Sequence, residues 1–127
     1  KGAEIAYETI LTSFANGEAN KLKTLLTAPI AKNFSEAIEA RKQENIKSEF
    51  TFIGIKESNL LKYEKIKNEL FATVKFVAEV ISVKKDKNDK IIEGNPDKIK
   101  FVTDIWRFTR SINNSSPNWH LSEITSQ

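Results

Sequence analysis

The chain has no cysteine and no methionine, and histidine occurs once, at His120. Without cysteine there can be no disulfide, no thiolate metal site and no cysteine nucleophile. A lone histidine offers neither a catalytic triad nor a metal cluster, and its alternation with Trp119 and Leu121 turns it toward the opposite side. The four glycines are scattered at Gly2, Gly17, Gly54 and Gly94, so no glycine-rich phosphate loop exists. Arginine is confined to Arg41, Arg107 and Arg110. Sequence-specific nucleic-acid readout favours arginine, and a net charge of +3 is modest, so no nucleic-acid partner is expected. No apolar run approaches the roughly 20 residues that cross a bilayer, and no signal peptide is visible. Because the chain opens on Lys1 and lacks methionine, it reads as the C-terminal fragment of a longer protein whose anchor or targeting segment lies upstream.

What is present suits one domain spanning residues 1–127. The apolar fraction is 39% and the charged fraction 29%, enough for a core and too patterned for a disordered tail. Ala3, Ala6, Tyr7, Ile10, Leu11 and Phe14 recur at three-four spacing, as one buried helix face does, and Asn16-Gly17 is a stop. A short second helix carries Leu22, Leu25 and Leu26. After the break at Thr27 and Pro29, a third places Ile30, Phe34, Ala37, Ile38 and Arg41 on one side, ending near Asn45.

The period then becomes alternating. Lys47 to Ile55 reads as a strand, and Asn59 to Asn68 is ambiguous between loop and strand end. Leu70, Ala72, Val74, Phe76, Ala78 and Val80 share one face of a long second strand that continues to Val83. Lys84–Lys90 and Gly94–Asp97 read as turns. A third strand runs from about Lys98 to Arg110, with Asp104, Trp106, Phe108 and Arg110 on one face. Asn113–Pro117 is a turn, and Asn118–Ile124 a last short strand. Three helices followed by four antiparallel strands predict an α+β fold, with the helices packed on one face of a curved sheet around an apolar cavity.

The segment Asp104-Ile105-Trp106-Arg107-Phe108-Thr109-Arg110, followed by Ser116-Pro117-Asn118-Trp119-His120-Leu121, resembles the Tim44-like domain family. Its pattern is an Asp-x-Trp-x-Phe-x-Arg strand, a turn, and Pro-Asn-Trp-x-Leu. Ala6-Tyr7-Glu8, Phe14-Ala15-Asn16-Gly17, Leu22–Leu26 and the Glu93-Gly94 hairpin fit as well, so the likeness spans essentially the whole chain. It departs at Ser111, where the family often carries an acid. The resemblance implies a cone-shaped fold like that of nuclear transport factor two, with a large apolar pocket and no enzymatic activity or cofactor. Mitochondrial members are peripheral inner-membrane proteins that link the import channel to the seventy-kilodalton heat-shock chaperone and bind cardiolipin-rich membrane. Bacterial relatives commonly carry a membrane segment ahead of the domain. The expectation is therefore an inner-membrane adaptor, peripheral or anchored upstream, on the bacterial or mitochondrial matrix side. Its partners would be a membrane protein or that chaperone, and anionic lipid. A mitochondrial ribosomal subunit is also similar to the family, though sparse arginine speaks against RNA binding here.

Trp106, Phe108 and Trp119 fall on neighbouring strands and would line a pocket for an acyl chain or apolar peptide segment. Core packing is the simpler reading of their size. The same alternatives hold for Tyr7, Phe34, Ile38 and Phe76. Asp104 shares the strand face of Trp106, and a carboxylate facing an apolar cavity has a raised pKa unless paired. It could act as a general base, as in the ketosteroid isomerases, which makes a small-molecule isomerase the alternative function. Otherwise it is a structural acid that accepts hydrogen bonds or pairs with Arg110. Two basic groups could meet anionic lipid: Lys21, Lys23 and Lys32 on the helical half, and Lys84, Lys85, Lys87 and Lys90 at the strand turn, the latter diluted by Asp86 and Asp89. Ordinary solvated surface is the simpler reading of each group, because the lysines are mixed with acids.

Overall fold

The computed structural model describes residues 2–113 and 118–126. Three helices, α1 (Gly2–Ala15), α2 (Ala19–Lys23) and α3 (Ala28–Gln43), precede the strands. These are β1 (Lys47–Ile66), β2 (Glu69–Lys85), β3 (Ile91–Gly94), β4 (Lys100–Ser111) and β5 (His120–Ser126). The sheet is antiparallel in the order β1-β2-β4-β5, with β3 added on β2. The fold is α+β, as the change of hydrophobic period requires.

Both long helices stop by the same device. Gly17 takes a φ of 72°, so Glu18 N–H reaches Ser13 O at 2.9 Å and Gly17 N–H reaches Phe14 O at 3.1 Å. At the end of α3, Asn45 takes a φ of 58°, Ile46 N–H reaches Arg41 O at 3.0 Å and Asn45 N–H reaches Lys42 O at 3.1 Å. Each left-handed residue satisfies carbonyls that would otherwise be stranded at a helix C-terminus. Pro29 sits in the first turn of α3, where its missing N–H costs nothing.

The core lies between α1 and the inner face of the sheet. Tyr7 and Ile10 from α1 are fully buried against Val74, Phe76, Ala78, Trp106, Phe108 and Leu121, and Leu22, Leu26 and Ile38 close the same cluster. The expected alternation is seen in burial from Val74 to Val80 of β2 and at Trp106 and Phe108 of β4, while Leu70 and Ala72 are only half-buried and Val83 is buried off the pattern. The β5 edge of the sheet is closed by the link between α2 and α3: Thr27 N–H donates to Leu121 O at 3.0 Å, and Leu121 N–H to Leu25 O at 2.9 Å.

Several boundaries differ from expectation. The sheet has five strands, not four, because Ile91–Gly94, from between the two expected turns to the first residue of the second, pairs with Val83–Lys85. All four of its residues are exposed, so it carries no alternating signal. The ambiguous segment 59–68 is strand as far as Ile66, followed by a turn at Lys67, whose φ is 56°. Register shifts at Phe52/Gly54, Ile55/Glu57 and Leu60/Lys62 each change the parity, which hides the alternation there. β4 begins at Lys100 rather than Lys98, and β5 at His120 rather than Asn118. Of the expected turn, Asn113 is a turn residue and 114–117 lie outside the described residues.

Arg41 joins the two long helices. Its Nη2 donates to Phe14 O, and its guanidinium lies over the Phe14 ring at 4.7 Å. Burial lowers its pKa, yet a guanidinium stays charged at neutral pH. A lysine cannot make the hydrogen bond and the planar stack together. Arg41→Lys is expected to lower stability to chemical denaturation by about 1–2 kcal/mol, and a midpoint equal to wild type would contradict this role.

Candidate functional site

A cavity of about 830 Å³ opens between α1, the distal half of the β1–β2 hairpin and the segment that leads into β5. It exists because the residues that face it are small where larger ones would fill it. Ala3 and Ala6 form the helical wall, and Ala72 sits on the sheet beside Val74 and Phe108. Val74 and Phe108 are 6% and 3% exposed and belong to the core, so the cavity floor is the outer surface of that core. Leu25 and Trp119 form a second wall. The rim is mixed: Ile5, Leu60 and Tyr63 line the cavity and are 69%, 62% and 57% exposed, and Thr24 and Asn118 are exposed beside them. Polar contributions come from Glu4, Thr9, Thr24, Ser58 and Asn118.

The apolar residues singled out from sequence divide into two sets. Phe108 and Trp119 line the cavity. Tyr7, Phe76 and Trp106 form a packed aromatic cluster behind it, and Ile38 lies in the same core. Tyr7 stacks on Phe76 with centroids 4.2 Å apart and meets the Trp106 ring edge-on at 4.7 Å. Phe34 packs against Phe14 at 5.0 Å, between α1 and α3. The rim residues Ile5, Leu60 and Tyr63 were not foreseen. Ile5 stands off the apolar stripe of α1, and Leu60 and Tyr63 fall where bulges obscure the strand.

Asp104 is not among the residues that line the cavity. Its Oδ2 accepts a hydrogen bond of 2.6 Å from the Tyr7 hydroxyl. Arg110, the arginine considered as its partner, instead has a buried Nε with no hydrogen bond. Burial raises the Asp104 pKa, and the Tyr7 hydrogen bond, which favours the carboxylate, offsets part of the rise. Tyr7 is pushed well above the usual phenol range, by burial first and by Asp104 second, so it remains a proton donor in the bond. The pair thus serves as a polar pin between α1 and β4. Among the described residues no group of three or more histidines or acids is placed to hold a metal.

The lysine groups also separate. Lys84 lies 3.8 Å from Glu93 and Lys85 3.2 Å from Glu49, so acids across the sheet balance both. Lys87 is exposed on the turn. Lys21, Lys23 and Lys32 are exposed and form no ion pair among the described residues. Lys23 and Lys32 border one shallow groove floored by Leu26 and Ala31.

The raised pKa of Asp104 has a definite sign for stability. The folded state holds this proton to higher pH than the unfolded chain, whose value is 3.8. Stability from the group is fully present below 3.8 and declines as pH rises through the folded pKa. An asparagine side chain in its place still offers Tyr7 an amide oxygen but never ionises. Asp104→Asn is therefore expected to gain melting temperature relative to wild type as pH rises from the acid range to neutrality. A difference that stays constant or shrinks over that range would contradict the assignment.

A model of the Tim44-like domain family matches residues 1–126. None of the curated proteins matches the chain. Among solved structures, the intermembrane space region of the chloroplast protein ARC6 is similar, with a TM-score of 0.63 and 11% identity, covering 97% of this chain and 92% of that one. At that identity the likeness concerns the fold.

Proposed function

This chain belongs to the Tim44-like domain family, and from that premise we propose that it is a non-catalytic, membrane-associated adaptor domain that accepts an apolar group in its cavity. The observation that carries the reading is the open cavity with largely apolar walls and with Ile5, Leu60 and Tyr63 exposed at its rim. A space of several hundred Å³ whose walls are mostly apolar, with Glu4, Thr9, Thr24, Ser58 and Asn118 as a polar minority, suits an acyl chain or the apolar side chains of a partner segment. Asp104 does not line it and is engaged by Tyr7, and among the described residues Glu4 is the one acid that does line it. The isomerase alternative therefore draws no support from the geometry.

The membrane side of the proposal rests on charge. Lys21, Lys23 and Lys32 form no ion pair among the described residues, and each lysine near an anionic leaflet contributes about 1 kcal/mol. Lys84 and Lys85 each have an acid within ion-pair distance, Glu93 and Glu49. The helical group is thus the stronger candidate for headgroup contact. No helix among the described residues is long and apolar enough to cross a membrane, so this part of the chain would associate peripherally. A membrane protein or the seventy-kilodalton heat-shock chaperone, which the family resemblance suggests, is the proposed protein partner. The proposed site is the inner membrane.

Flotation with vesicles tests this. The domain should float with cardiolipin-rich vesicles and not with neutral ones, and high salt should weaken the association. Replacing Lys23 and Lys32 by glutamine should lower partitioning roughly tenfold, while the same change at Lys84 and Lys85 should leave it within about threefold. Equal flotation with neutral vesicles, or none with either, would contradict a lipid contact in this domain.

A further inference from the structure

We propose that the cavity takes a single-chain anionic amphiphile, with Arg110 receiving its carboxylate or phosphate. The inference rests on the apolar reading of the cavity and adds a charge at one end of it. Phe108 on β4 and Ala72 on β2 are cross-strand partners, and both line the cavity. The β2–β4 ladder runs without a register shift, so Arg110 takes the next position on the same face, opposite Leu70. Thr109 pairs with His120, which sets Trp119, another lining residue, next to Arg110 in the line of the sheet. On the far side of Leu70 stands Lys65 of β1, exposed and on the same face. Arg110 does not itself line the open space; it stands one inward-facing position past Phe108.

Nothing among the described residues answers the charge of Arg110. The residue is half-buried, its Nε is buried without a hydrogen bond, and it forms no ion pair. The remaining arginines are both engaged, Arg41 by the Phe14 carbonyl and Arg107 by Glu64 and Glu123. The acids that adjoin Arg110 along the sheet, Glu64 and Glu69, fall on the opposite parity. Glu4, the one described acid that lines the cavity, makes no ion pair with it. A guanidinium stays ionised, and a half-buried charge without a partner is costly. An unanswered cation beside a largely apolar space is the complement of an amphiphile, whose one anionic group ends an apolar chain. A peptide segment fits less well, because it brings a backbone donor and acceptor at nearly every residue, which mostly apolar walls leave unpaired. A free inorganic anion would gain nothing from those walls.

Calorimetric titration with decanoate, decyl phosphate and decanol tests this, since these share a chain and differ in headgroup. Wild type should bind both anions about tenfold more tightly than decanol, as a charge-assisted hydrogen bond provides. Whichever anion binds more tightly names the source, a fatty acid for decanoate and a phospholipid headgroup for decyl phosphate. Arg110→Met keeps most of the side-chain length and loses the charge. It should bring both anions down to the affinity of decanol and leave decanol within about twofold of wild type. It should also melt no lower than wild type, because no hydrogen bond or ion pair is lost. A lower melting temperature would make the arginine a structural element and overturn the proposal. So would anions that bind wild type no better than decanol, or that bind Arg110→Met undiminished. If decanol binds and the anions gain nothing, the apolar reading of the cavity stands and only the role of Arg110 falls; if none of these ligands binds, both fall.

Discussion

Tyr7 holds α1 to the sheet in two ways at once. Its ring lies flat on Phe76 and edge-on to Trp106, and its hydroxyl donates to Asp104 on β4. The ring contributes buried area and the hydroxyl supplies direction. A helix packed by area alone can slide or rotate on a smooth sheet face, whereas one hydrogen bond to a half-buried carboxylate fixes its rotation. That rotation turns Ala3 and Ala6 toward the hairpin and leaves the cavity between them. Had larger side chains stood there, α1 would have filled the space that it now encloses.

The same logic explains the two ends of the molecule. Where the helical link meets the start of β5, Leu121 is fully buried. Toward the distal hairpin, β1 outruns the helices, its register slips at three bulges, and Leu60, Leu61 and Tyr63 remain exposed. Exposed apolar side chains that gather around an apolar cavity are less easily dismissed than the scattered ones found on any surface.

Much of the fold was legible because period and parity are local. The helical face of α1 and the alternation in β2 could be read within single segments, as could the common face of Asp104, Trp106 and Phe108. The Tyr7–Asp104 bond could not, since 97 residues separate the partners and nothing in either segment names the other. The cavity rim was missed for a related reason: bulges destroy the period that would have placed Leu60 and Tyr63. The lysines were grouped by nearness along the chain. Which of them stay unbalanced depends on acids brought across the sheet, Glu49 for Lys85 and Glu93 for Lys84.

The functional reading stands or falls on whether apolar matter enters the cavity beside Trp119. Trp106 is buried behind the floor, whereas Trp119 is on the wall, so the two indoles report on different places. Tryptophan emission measured with cardiolipin-rich vesicles whose acyl chains carry bromine separates them, since bromine quenches only at close contact. Quenching of the wild type that disappears in Trp119→Phe is the predicted result. Wild-type emission left unchanged by bound vesicles, or quenching that persists in Trp119→Phe, would contradict entry of a lipid chain into this cavity.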